Sequence, residues 1–273
     1  MVAANATAAE YEHSAALPEA ERAAVRDLIL VLADSKRLLG MRYADWTLGA
    51  PELEAGIACA SMAQDEWGHA RQLYALLRDF GDDTEQLEHG RSPEEYRSMA
   101  LLDQPPQSWP ELVVLNALLD TAITAQIVEL ETSSYAPLRG RVEKLLEEER
   151  FHAAHGAAWF RRLAGANERA RAALHDAVDR ALPSIVAWFG PDSDRTRQLV
   201  AARIVGRGAT DTRQQYLARI ADLIALVGID GKETESADFS TFREDFRRPA
   251  GTAPDPGVIA KVRGDLNRAF LMD

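Results

Sequence analysis

The chain carries the tetrad Glu-x-x-His twice, as Glu66-Trp67-Gly68-His69 and Glu149-Arg150-Phe151-His152. Each copy lies in a long stretch rich in Ala, Leu, Glu and Arg that contains no Pro, so each is predicted to be helical. At about 100° per residue, a step of three brings the carboxylate and the imidazole to one helix face, a turn apart. Two such helices set face to face can hold a pair of metal ions, with the remaining carboxylates supplied by two further helices. One tetrad alone reads equally well as a solvated helix face. Two of them, with room for a third helix between, point to a buried carboxylate–imidazole centre.

The rest of the chain can be built around that pair. Residues 1–17 are small and polar, and Pro18 opens a first helix over residues 19–40 with an apolar stripe at Val25, Leu28, Leu32 and Leu39. Lys36 falls on this stripe, where an inward ammonium needs a carboxylate partner or a route to water. Pro51 is placed in the first turn of a second helix that ends near Gly81 and carries Glu66 and His69. Residues 82–109 form a long acidic, Pro-containing connection expected over one end of the bundle. A third helix starts at Pro110 with Val113, Asn116, Asp120, Ile123 and Ile127 on one face, and an inward Asp is disfavoured unless it has a task. The fourth helix follows Tyr135-Ala136-Pro137, runs to about residue 163 and carries Glu149 and His152. Further helices are predicted at 167–188, 194–207 and 211–228, then a polar, Pro-rich tail and a last amphipathic stretch at 258–271. The expected organisation is one all-α domain over residues 1–273, with a core bundle at 18–164 and extra helices and tail at 165–273.

Composition narrows the function. A formal net charge of −12 argues against nucleic acid, because no basic surface is available to neutralise phosphates. Cys59 is the only cysteine, which rules out an intramolecular disulfide and a zinc–thiolate site. The first residues lack the basic-then-apolar plan of a signal peptide, and no apolar run is taken to be long enough to span a bilayer. A cytoplasmic protein with no membrane partner is the expectation.

A non-haem di-iron centre requires carboxylates that bridge two ions and one imidazole per ion. Glu66 and Glu149 are the candidate bridging and catalytic carboxylates, His69 and His152 the imidazole ligands, and Asp120 a terminal carboxylate. The segment from Trp46 through Ala50-Pro51 to Gln64-Asp65-Glu66-Trp67-Gly68-His69 resembles the catalytic A subunit of the phenylacetyl-CoA epoxidase family, whose structural C subunit shares the layout. So do Asp120 to Gln126, Thr132 to Pro137, Glu148-Glu149-Arg150-Phe151-His152, Trp188-Phe189-Gly190-Pro191 and Asp211-Thr212-Arg213-Gln214. The resemblance covers roughly residues 25–250. It implies a ferritin-like four-helix bundle with additional C-terminal helices, non-haem iron, and O2-dependent epoxidation or hydroxylation of an aryl- or acyl-CoA. It also implies a separate electron-donating reductase and a related ferritin-like subunit, or a homo-oligomer, as partner.

One position departs from the family pattern. The first-helix Glu ligand is expected thirty residues before Glu66, where this chain has Lys36. Asp34 lies about 200° around the helix from the missing ligand and cannot replace it without a register shift. The ammonium either pairs with Glu66 or Asp120, leaving one metal ion or none, or it swings out or turns neutral in the metal's field while water fills the position. The first option makes a non-catalytic structural or regulatory subunit with a site locked by Lys36 the alternative to an oxygenase. His155 reads as a surface or core histidine, Gln126 and Tyr135 as structural, and Trp46, Trp67 and Trp188 as packing. Arg207, Arg213 and the Arg247-Arg248 pair are candidates for CoA phosphates, though such residues are more often salt-bridge partners.

Overall fold

Helix α1 (Glu19–Asp45) follows Pro18, and every residue from Leu28 to Gly40 is buried. A helix covered on all sides runs through the middle of a structure, and α1 is the spine of this one. The computed structural model describes residues 10–231 and 238–270, so the first nine residues, part of the tail and the end of the last predicted stretch lie outside the described residues. The architecture is an all-α, ferritin-like bundle. Its most extensive pairing is α1 with α2 (Leu53–Leu77), and α5 (Ala136–Ala166) packs against α2 and the third helical rod.

That rod is α3 (Trp109–Val114), a π-helical turn (Leu115–Asp120) and α4 (Thr121–Val128) in direct succession. Ser108 caps it by accepting a hydrogen bond from the Glu111 amide. By length and composition, Trp109–Val128 is apolar enough to cross a membrane, contrary to the expectation from sequence; 83% of it is buried inside the protein, as a core helix would be. α6 (Glu168–Trp188), α7 (Asp194–Ala201), α8 (Ala209–Ala225) and α9 (Pro256–Val262) complete the α-helices among the described residues. The buried apolar side chains form a continuous cluster from Leu17 to Ile259.

Several boundaries differ from those predicted. α1 passes through Gly40 to Asp45, and a Cβ at Gly40 would meet the Trp67 ring at 2.7 Å. This glycine admits a neighbouring side chain and does not stop the helix. Pro51 precedes α2 and is not in its first turn. The connection over residues 82–109 runs along α1. There Arg91 bonds Asp34, the Met99 amide donates to Ser35 Oγ, and Arg42 donates to the Leu102 carbonyl. α7 stops at Ala201, where Arg203 adopts a left-handed φ of 56°. The tail contains a two-residue antiparallel hairpin, β1 (Phe242–Arg243) with β2 (Arg248–Pro249).

Candidate functional site

The fold brings Lys36 from α1, Glu66 and His69 from α2, Asp120 from the π turn, and Glu149 and His152 from α5 to one place. All six are buried. The Lys36 ammonium stands among three carboxylates, with Nζ donating to Glu66 Oε1 at 2.9 Å, Asp120 Oδ1 at 2.7 Å and Glu149 Oε1 at 2.6 Å. An ammonium has three N–H donors, and here each meets a carboxylate from a different helical rod. Asp34 points elsewhere, into a separate buried network with Arg91, Tyr74 and the Arg97 amide.

The imidazoles span from this centre towards the surface in a crossed pattern. His69 on α2 donates from Nε2 to Glu148 of α5 at 2.7 Å. His152 on α5 reaches Asp65 of α2 from Nε2 at 3.3 Å, while its Nδ1 lies 3.2 Å from both Asp120 Oδ2 and Glu66 Oε1. Thus the acid immediately before each tetrad holds the histidine of the other. Outer carboxylates fix imidazole orientation in this way at metal sites. A further ring of polar contacts surrounds Asp120: Tyr43 donates its hydroxyl to Oδ2 at 2.9 Å, and Asn116 Nδ2 donates to Tyr43 Oη and to the His152 carbonyl. Thr124 donates to Glu149 Oε2 at 2.9 Å. The π turn supplies both Asn116 and Asp120, and π turns recur at functional sites.

Protonation follows the geometry. Burial alone would discharge Lys36, but Asp120, Glu149 and Glu66 outweigh it and push the ammonium well above its usual pKa. Burial likewise opposes a charged His152, yet its hydrogen bonds to Asp120 and Glu66 raise it to about 11. His69 is raised too, with burial outweighed by the nearby Glu149 and Glu66 carboxylates. Burial also works against ionisation of Asp120, but the Lys36 charge and the His152 hydrogen bond hold its carboxyl below the usual range. Glu66 is pushed up to about 7 by burial and by Asp120, against the pull of Lys36. Three acids therefore face a lysine and two histidines that all favour their cationic forms.

Apart from Glu66 Oε2 and His69 Nδ1, these residues satisfy one another, and this bears on whether they fit an iron pair. One donor atom each from Glu66, Asp120, Glu149 and His152 lie within 4.8 Å of one another, so the set can converge on an ion. The ammonium, however, stands within hydrogen-bond distance of three of those four side chains. An ion at a bonding distance of about 2.0–2.2 Å from the same carboxylates would need that volume. Two Fe(II) would also add four positive charges to a cluster that already holds its own cations. As arranged, the residues do not fit a two-iron centre.

A sequence profile described as "Phenylacetic acid catabolic protein" matches residues 4–242. The chain belongs to that family. It is 28% identical over 152 residues to the A subunit of the 1,2-phenylacetyl-CoA epoxidase of Escherichia coli (strain K12), a match covering 56% of this chain and 49% of the relative. It is 24% identical over 153 residues to the C subunit of the same epoxidase, covering 55% of this chain and 62% of the relative. The chain therefore spans about half the length of the first relative and less than two thirds of the second. As family members, the relatives are subunits of an enzyme that has more than one.

Outside the cluster, the residues proposed for CoA phosphates have other partners. Arg207 pairs with Glu129, Arg213 donates to the Gly190 carbonyl, Arg247 donates to Gln126, and Arg248 bonds Asp103 and the Ser98 carbonyl. Tyr135 donates to Asp79, and His155 meets Asn116 Oδ1 at 3.0 Å. Trp46 packs on Trp109 and Trp188 on Phe189, whereas Trp67 is 38% exposed. Sequence reasoning did not single out Asp65, Glu148, Tyr43, Asn116 or Thr124 for the site. The doubled acids Asp65-Glu66 and Glu148-Glu149 were the signal available for the first two.

Proposed function

We propose that this chain is a subunit of a phenylacetyl-CoA-epoxidase-type assembly in which an internal ammonium stands in place of the iron pair. On this reading it supports oxygenation of an aryl- or acyl-CoA by a related ferritin-like partner, in a structural or regulatory role, and does not activate O2 itself. The observation that carries the reading is the threefold bonding of Lys36 Nζ to Glu66, Asp120 and Glu149. Admitting metal to such a buried arrangement strands the displaced ammonium without a counter-ion, at a cost of several kcal/mol.

One observation favours the second reading, in which Glu66, His69, Asp120, Glu149 and His152 bind iron for epoxidation with electrons from a separate reductase. Glu66 Oε2 and His69 Nδ1 are buried without a hydrogen-bond partner, the latter 3.2 Å from Glu149 Oε1 but out of line for a bond. Unsatisfied buried donors and acceptors are uncommon and are found where a ligand completes them.

Elemental analysis separates the two readings. Protein produced in iron-rich medium is expected to carry negligible iron, whereas Lys36→Glu, which restores a sixth protein ligand, is expected to load it. Wild-type protein that arrives with an iron pair and consumes O2 in the presence of phenylacetyl-CoA and a reductant would overturn the first reading and establish the second.

A further inference from the structure

The outer face shared by α2 and α5 carries three large apolar side chains that stand in solvent: Leu53 (77% exposed), Ile57 (61%) and Phe151 (75%). Exposed positions recur along α2 at Ile57, Ser61, Gln64, Gly68 and Arg71, and along α5 at Glu147, Phe151, Ala154, Ala158 and Arg161. Steps of four and three keep each row on one side of its helix, the spacing found along seams where helices pair. Phe151 rises from the middle of its row. Gly68 leaves a hollow in the other, since a Cβ built there meets nothing within 4 Å. The two helices run antiparallel, and three contacts fix their register: Glu52 with Arg162, Asp65 with His152, and Glu148 with His69. Glu54 and Arg161 therefore lie at one end of the face, and Arg71 and Glu147 at the other. None of these four has an ion-pair partner among the described residues, whereas Lys144, next to Glu147, already pairs with Glu148. Each end thus presents one sign of charge on α2 and the opposite sign on α5.

We infer that this face is a docking surface for a second copy of the chain. Such a face is complementary to itself. A two-fold axis between the copies, parallel to the helices, sets α2 of each against α5 of the other at the same height. Arg71 then meets Glu147 of the second copy, the Glu54 end of α2 meets the Arg161 end of α5, and Phe151 enters the hollow at Gly68. Ile57 lies against Ala158. Each contact occurs twice, and opposite charges at both ends hold the register. A partner surface of a single sign would be repelled at half of these positions. The inference depends neither on the state of the buried centre nor on the chain's role in an oxygenase.

Sedimentation velocity of the full chain over a series of concentrations tests the inference. Arg71→Glu and Glu147→Arg each put like charges at both occurrences of their contact, and both residues are exposed, so the fold is retained. The parent is expected to dimerise, and each variant alone to associate roughly tenfold or more weakly. An equimolar mixture of the two variants should dimerise as the parent does, because in the mixed pair the two reversed charges face each other and the two native ones do the same. Mixing cannot restore a contact made within one chain. Phe151→Ser, also at an exposed position, should weaken the dimer without a change in circular dichroism. The inference is overturned if the parent stays monomeric at every concentration, if both charge variants alone dimerise like the parent, or if the mixture stays monomeric. A monomeric parent that forms a complex with the related epoxidase A subunit, lost in Phe151→Ser, would assign the face to that subunit and overturn the inference as well.

Discussion

Replacing Lys36 with methionine keeps an apolar stem of similar length and removes the ammonium. Three charge-assisted hydrogen bonds of 2.6–2.9 Å are lost, and three buried carboxylates are left with only imidazoles as counter-ions. Deleting one partner of a buried ion pair costs about 3–5 kcal/mol. One cation serves three anions here, which places the loss at about 5 kcal/mol, or a fall in Tm of about 10–20 °C for a chain of this size. The pH dependence gives a second reading of the same experiment. Without the ammonium, the Asp120 carboxyl that Lys36 holds down rises, and Glu66, already raised, rises further. Groups whose folded pKa lies above the unfolded value contribute stability that is complete below the unfolded value and is lost as pH rises through the folded one. The gap between parent and variant should therefore narrow as the buffer is taken from about pH 8 to about pH 5. Urea denaturation followed by far-UV circular dichroism at both pH values measures it. A gap below about 1 kcal/mol at the higher pH, with no narrowing at the lower, would refute the assignment of Lys36 as the counter-ion of the cluster.

Two further outcomes follow from the same packing. His152 is raised from 6.5 to about 11, so its contribution is complete below pH 6.5 and is lost as pH climbs through about 11. Between those values the parent should lose stability more steeply than His152→Gln, by up to about 1.4 kcal/mol per pH unit, and parallel slopes in denaturation curves would sink the assignment. At Gly156 a Cβ would lie 2.9 Å from the Ala117 backbone and from Asn116 Oδ1. Gly156→Ala should cost about 1–3 kcal/mol by overpacking, despite alanine's better helix propensity. A thermal midpoint at or above that of the parent would show that α5 does not bear directly on the π turn.

The parts of the site legible in the sequence were those fixed by helix periodicity. Glu66, His69, Glu149 and His152 needed only a spacing of three on regular helices, and Lys36 needed only the stripe from Val25 to Leu39. Contacts between helices were not legible. The crossing of Asp65 to His152 and of Glu148 to His69 depends on how α2 and α5 face each other, which neither segment encodes alone. Gly40 looked like a terminator because glycine is a poor helix former, yet the Trp67 ring that fills the space beside it comes from another helix. The arginines of the tail suggested phosphate contacts because composition shows charge and not partners; the fold occupies Arg247 and Arg248 with Gln126 and Asp103.

The π turn from Leu115 to Asp120 gives the cluster a vulnerability that no ligand substitution would reveal. Thr121 returns its hydroxyl to the carbonyl of Ala117, so the widened turn is stitched on its C-terminal side. Asn116 grips the His152 carbonyl from one half of the rod while Asp120 grips the ammonium from the other. Excising a single codon between them would tighten the coil and swivel the two halves by about 100° relative to each other. Every ligand would keep its identity, and the two grips would no longer point inward together.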